Sequence, residues 1–85
     1  MTDKLKNQFI EYDRDNPDIY RAFAAMARGF IQNREKRGAK AIIELVRPSV
    51  PMRPGGVRHK VNNSYTAYYA RKFENEYPQH KGYFE

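Results

Sequence analysis

The segment NNSYTAYYARKF combines hydroxyl, amide and guanidinium groups with aromatic rings in one short stretch. On a helix with 100° between residues, Tyr65, Tyr69 and Phe73 share one face. Arg71 and Asn75 share the opposite face. In the major groove of DNA, arginine pairs bidentately with guanine and asparagine with adenine. The segment therefore predicts a helix with a buried aromatic face and an outer face suited to base edges.

The residues before this helix predict a basic β-hairpin. Val50 and Met52 alternate with other residues, a Pro-Gly-Gly turn follows at 54–56, and Val57 and Val61 belong to a second alternating run. One face of such a hairpin is apolar and the other is cationic, so its cations would contact the phosphate backbone. The predicted nucleic-acid-binding residues of the hairpin and helix are Arg53, Arg58, Lys60, Asn63, Ser64, Tyr68, Arg71, Lys72 and Asn75.

The positive charge is concentrated in the middle of the chain. The net charge is +6, and residues 28–61 alone carry nine cations against Glu35 and Glu44, which leaves +7. Scattered lysines and arginines commonly form only a solvated surface, but a concentrated basic segment is also typical of a polyanion-binding protein. If about five of these cations contact phosphate, the logarithm of the affinity should fall with log salt at a slope of about −4 to −5.

Helical periodicity predicts the elements that position these groups. We expect a leading helix over 1–14 that is only loosely attached, a helix over 17–36, and a short helix over 39–47 that Pro48 ends. The third main helix should run from Asn63 or Ser64 to about Glu76. The apolar stripe of the helix over 17–36 comprises Ile19, Tyr20, Phe23, Met26, Ala27, Phe30 and Ile31.

Two further features complete the expected core. Tyr77 extends the aromatic row of the third main helix, and Tyr83 and Phe84 should fold back over an open end of the core. The order of helix, helix, basic hairpin and helix predicts one small α+β domain over 1–85, with three to four helices and one β-hairpin. This arrangement is similar to a winged helix-turn-helix, although the usual hairpin follows the recognition helix.

Residue usage argues against catalysis. The chain has two histidines and no cysteine, with neither a paired-histidine zinc motif nor the lysine that follows the turn of a phosphate-binding loop. We therefore expect no enzyme activity, no metal and no cofactor. No stretch approaches the ~20 apolar residues that span a bilayer, so the sequence predicts a cytoplasmic protein without a membrane partner.

Several blocks carry a resemblance to a known group. NPDIYRAFAAMARGFIQNREKRGAKAIIELVR, NNSYTAYYARKF and YPQHKGYF resemble small uncharacterised proteins encoded by bacteriophages and prophages, which share an NNxYxxYYAR-type motif. The likeness spans Phe9 to Phe84. It implies a phage-derived protein located in the cytoplasm of the host bacterium, and it assigns no activity and no functional residues.

The sequence therefore favours a small basic protein that binds nucleic acid, with double-stranded DNA as the expected form. Two alternatives stay open. The same basic face could bind a host protein, as an inhibitor or accessory factor of a phage does, or the third main helix could form a twofold contact in a dimerising structural module. A homodimer would also suit DNA binding, because paired subunits contact paired half-sites.

Overall fold

A computed structural model describes residues 2–49, 61 and 63–84 of the protein. Their α-helices are α1 (Thr2–Asp15), α2 (Pro17–Gln32), α3 (Ala39–Ser49) and α4 (Thr66–Glu76). Short 3-10 turns cover Asn63–Tyr65 before α4 and Pro78–His80 after it. Helix α2 lies at the centre and packs against α1, α3 and α4.

The predicted α+β fold with a winged-helix hairpin is wrong, because the regular elements of the described residues are all helical and none is a strand. Val61, which belonged to the second predicted strand, is buried, and its carbonyl accepts a hydrogen bond of 3.0 Å from Arg47 Nη2. Val61 itself therefore belongs to the helical core. The rest of the predicted hairpin, including Arg53, Arg58 and Lys60, lies outside the described residues.

Helix α2 begins at Pro17 as predicted but ends at Gln32, four residues earlier than expected. Arg34 adopts a left-handed φ of 60°. The amide of Arg34 then donates to Ile31 O (3.0 Å) and that of Glu35 to Phe30 O (2.8 Å). These two bonds form a Schellman motif, which satisfies the last carbonyls of the helix and turns the chain out of it.

Two other local predictions need correction. Asn16 precedes α2 but makes no side-chain cap; its Nδ2 instead donates to Tyr12 O at 2.9 Å and so ties the end of α1 to the start of α2. Pro48 does not end the third helix, because α3 continues to Ser49. Only one helical residue follows Pro48, so the helix still ends next to the proline.

The core contains the apolar face of α2, three residues of α3 and the aromatic row of α4. Its buried members are Phe9, Ile19, Tyr20, Phe23, Ala24, Ala27, Ile42, Ile43, Val46, Val61, Tyr65, Tyr69 and Phe73. The predicted fold-back of the tail is confirmed, because the Phe84 ring lies 5.6 Å from that of Phe23 and 5.7 Å from that of Phe73. Within the described part of the chain, the helices are too short or too polar to span a bilayer.

Helix α1 is packed against α4 rather than loosely attached. The Phe9 ring is buried, meets Tyr69 edge-on at 4.8 Å and stacks on Tyr68 at 5.3 Å. Asp13, one turn further along α1, forms an ion pair with Lys72 of α4. The leading helix therefore helps to shape the surface on which the candidate site lies.

Candidate nucleic-acid interface

The outer face of α4 carries a stripe of exposed residues. Arg71 and Asn75 are both exposed and are separated by one helical turn, whereas Tyr69 and Phe73 have no exposed surface. Ser64 and Ala67 are exposed on the same side. The predicted burial of the aromatic row and the outward placement of Arg71 and Asn75 are therefore confirmed, whereas Tyr68, which the sequence placed among the contact residues, is partly buried against Phe9.

Tyr68 lies at the border between this stripe and α1. Its ring stacks on Phe9, with 21° between the ring planes, and the Arg71 guanidinium carbon lies over the same ring at 5.5 Å from its centroid. Tyr68 is therefore already engaged by a stacked ring and by a cation. It fixes the side chain of Arg71 at the edge of the outer face.

A groove of about 380 Å³ runs between α1 and α4. Four of the predicted contact residues meet there, together with four residues of α1 that the sequence analysis did not include. The lining residues are Lys6, Phe9, Ile10, Asp13, Tyr68, Arg71, Lys72 and Asn75. Lys6 is exposed, so it adds a cation on the α1 side of the groove to that of Arg71 on the α4 side.

Lys72 lies in the groove but is engaged in a structural contact. Its Nζ donates a hydrogen bond to Asp13 Oδ2 and lies 4.2 Å from the centroid of the Tyr20 ring. The Asp13 side chain is only 14% exposed, so much of this pair is withdrawn from water. Lys72 therefore fastens α1 to the core.

Asn63 and Ser64 lie at the entry to α4. Asn63 Oδ1 accepts a hydrogen bond of 2.8 Å from Arg47 Nη2, the same nitrogen that donates to Val61 O. Arg47 Nη1 also contacts Glu44 Oε1 at 3.1 Å. Arg47 thus holds the start of α4 against α3, and Asn63 has a positioning role there.

Burial fixes the protonation state of two core phenols. Removal from water, followed by the charge of Glu76, raises the pKa of Tyr20 well above its ordinary value. Burial likewise raises the pKa of Tyr69, with smaller contributions from Tyr12 and Asp13. Both phenols stay neutral near pH 7, so neither supplies a base to the groove.

Cations lie over aromatic rings at five places in the described residues. In each pair the cation lies within about 6 Å of the ring centroid, the distance at which the ring attracts it. The sequence alone does not show these pairs, because in three of the five the residues are more than 40 positions apart. The pairs are Arg28 with Tyr77, Lys36 with Tyr83, Arg37 with Phe30, Arg71 with Tyr68, and Lys72 with Tyr20.

Comparisons with protein-family models, with curated proteins and with solved structures return no match. The proposals below therefore depend on the geometry of this chain alone.

Proposed function

We propose that the protein binds double-stranded DNA through the outer face of α4, without catalysis. The observation that carries the proposal is the placement of Arg71 and Asn75. Both are exposed and lie one turn apart on a helix whose opposite face is buried. These are the two side-chain types that pair bidentately with guanine and adenine, respectively.

The dimensions and the charge of this face suit a major groove. A helix with its side chains is about 10–12 Å across, and the major groove of B-DNA is about 12 Å wide. Lys6 and Arg71 place cations on the two sides of the α1–α4 groove, where phosphates would flank an inserted helix. Asp13 does not oppose them, because its charge is paired with Lys72.

The aromatic rings favour duplex over single-stranded nucleic acid. Proteins that bind single strands offer open ring faces on which successive bases stack. Here a cation covers the ring of Tyr68, and others cover those of Tyr77 and Tyr83. Because stacking on these rings would require the cations to leave, contact through phosphates and base edges is the better fit.

Fluorescence anisotropy with a labelled duplex tests the proposal. We expect Arg71→Ala combined with Asn75→Ala to weaken binding to a duplex that carries the preferred bases by more than about tenfold, since each bidentate pair provides about 1–3 kcal/mol of discrimination against the wrong base. Lys72 is left unchanged in this variant because its side chain holds α1. Circular dichroism should show an unchanged helix content, since both side chains are exposed.

Arg21→Ala is a matched control. Arg21 is an exposed arginine on α2 whose Nη1 lies 3.3 Å from Asp18, and its removal should leave duplex binding within about twofold. Equal affinity of the double variant and the wild type would reject α4 as the contact surface. A protein that binds no duplex at low salt would contradict the proposal and favour the host-protein or dimerising alternatives.

A further inference from the structure

A second group of cations lies at the connection between α2 and α3. None of its residues lines the α1–α4 groove. We call residues 34–40, which comprise the connecting residues 34–38 and the first two residues of α3, the cationic loop. Its four exposed cations, Arg34, Lys36, Arg37 and Lys40, are accompanied by one acid, Glu35. Exposed loops of this composition are ordinarily solvated, so a binding role requires contacts that hold the loop in one conformation.

The C-terminal tail fixes it. The Tyr83 hydroxyl donates to Glu35 O at 2.5 Å and accepts from the backbone N–H of Arg37 at 3.0 Å. The tail is in turn tied to α4, because Gly82 N donates to Glu74 Oε2 at 2.9 Å. Tyr83 and Gly82 together therefore connect the backbone of the cationic loop to α4, the helix that carries the proposed DNA-binding face.

Aromatic rings also hold two of the cations. Lys36 Nζ lies 5.4 Å from the centroid of the Tyr83 ring, and the Arg37 guanidinium carbon lies 5.1 Å from that of Phe30. Such contacts restrict the side chains without neutralising their charge. Glu35 compensates only in part, because its Oε2 lies 3.5 Å from Arg37 Nη2 and both side chains are about half exposed.

This conformation is unfavourable for the free protein in two respects. Arg34 occupies the left-handed region, where a side chain is strained and glycine is the usual residue. Four like charges within seven residues also repel one another, and a bound anion would relieve that repulsion. A charged side chain at a strained backbone position motivates a functional hypothesis for this loop.

We propose that the cationic loop is a second phosphate-contact surface, which Tyr83 holds in the binding conformation. This inference rests on the proposed function, which supplies the ligand of the cationic loop, the phosphate backbone of duplex DNA. It adds a separate surface whose contacts are to phosphate and are therefore independent of base sequence.

Arg34→Gly separates binding from folding. Because glycine relaxes the left-handed backbone, the variant should melt at the wild-type temperature or above. It should nevertheless bind a duplex about fivefold more weakly at about 100 mM salt, and its log–log salt slope should be shallower by about 0.9, the value for one lost phosphate contact. Unchanged affinity and slope in both Arg34→Gly and Lys36→Gln would overturn the inference, and Arg21→Gln is the control for charge loss elsewhere.

Tyr83→Phe tests the role of the tail, because it keeps the ring and removes only the hydroxyl. We expect it to reduce duplex affinity with all cations still present, and to sharpen or shift the amide NMR signals of residues 34–38. Wild-type affinity in this variant would remove Tyr83 from the proposal.

Titration of the ¹⁵N-labelled protein with a short duplex then distinguishes the two surfaces. Shifts at both α4 and the cationic loop are expected. Shifts at α4 alone would overturn this inference and leave the proposed function intact, whereas shifts at the loop alone would support the inference and reject α4. The absence of shifts at either surface would overturn both.

Discussion

Arg34 combines an unfavourable backbone conformation with an exposed positive charge. An L-residue with a φ of 60° is strained by about 1–2 kcal/mol, and glycine avoids this strain at some cost in chain entropy. We expect Arg34→Gly to raise the free energy of unfolding by about 0.5–1 kcal/mol in urea titrations. Arg21→Gly, in the middle of α2, should lower it by about 1 kcal/mol. Loss of stability of equal size in both variants would contradict the strain at Arg34.

The ion pair between Asp13 and Lys72 should matter more than the exposed ion pairs. Asp13 is 14% exposed, and its removal leaves the ammonium of Lys72 partly buried without its partner. We expect Asp13→Ala to destabilise the protein by about 1–3 kcal/mol. Glu11→Ala is the control, because Glu11 is 70% exposed and lies 4.0 Å from Arg14; its loss should cost less than about 1 kcal/mol. Similar values for the two variants would contradict the structural role of the pair.

Tyr69 predicts the pH dependence of stability on the alkaline side. Its hydroxyl is buried without a hydrogen-bond partner among the described residues, and burial raises its pKa above the ordinary 10.0. The folded state thus keeps a proton that the unfolded state loses, so stability is constant below about pH 10 and falls as the pH rises further. Tyr69→Phe should weaken this fall and be neutral or slightly stabilising near pH 7. The free energy of unfolding of both proteins can be measured by urea titration from about pH 8 to about pH 12. An equally steep fall with pH in the wild type and in Tyr69→Phe would contradict a contribution from Tyr69.

Among the helices, α1 differs most from its expected role. The sequence shows its helical spacing, but the partner rings of Phe9 belong to α4, more than fifty residues away in the chain. We expect Phe9→Ala to cost about 3–5 kcal/mol, a large part of the stability of a small domain. Ile10→Ala is the matched control, since Ile10 is 49% exposed and should contribute less than about 1 kcal/mol. Thermal unfolding would contradict the docking of α1 if both variants melted near the wild-type temperature.

Periodicity identified the helices and their buried faces because a repeat of 3.6 residues is a local signal. The outward placement of Arg71 and Asn75 follows from the same signal. The end of α2 could not be predicted in this way, because arginine is not a usual residue in the left-handed position of a Schellman motif. The hairpin prediction failed because a short alternating run does not show whether its apolar residues face a strand partner or, as Val61 does, a group of helices.

The sequence predicts only part of the candidate site, because some of its residues are positioned by contacts with distant parts of the chain. Lys72 lies on the flank of α4, and only the tertiary fold shows that Asp13 of α1 pairs with it. The positive charge of residues 34–40 is evident in the sequence. The hydrogen bonds from Tyr83 that order this loop join residues 46 and 48 positions apart, so no local pattern could indicate them.

For the protein as a whole, the positive charge is distributed over two surfaces joined by the tail. Lys6 and Arg71 flank the α1–α4 groove, and the cationic loop adds four exposed cations. The acidic side chains of α1 are largely paired locally, as in the contacts of Arg14 with Glu11 and Asp15. Within the described residues, these two surfaces together present six cations to a polyanion.

The salt dependence of duplex binding tests this conclusion most directly. Anisotropy titrations of the unmodified protein between about 50 and about 300 mM salt should give a slope of about −4 to −5 in a plot of log affinity against log salt, as expected for about five phosphate contacts. The combined Arg34→Gly and Lys36→Gln variant should give a slope shallower by about 1.8. A slope shallower than about −1 for the unmodified protein, or no binding at the lowest salt, would contradict phosphate-directed binding by either surface.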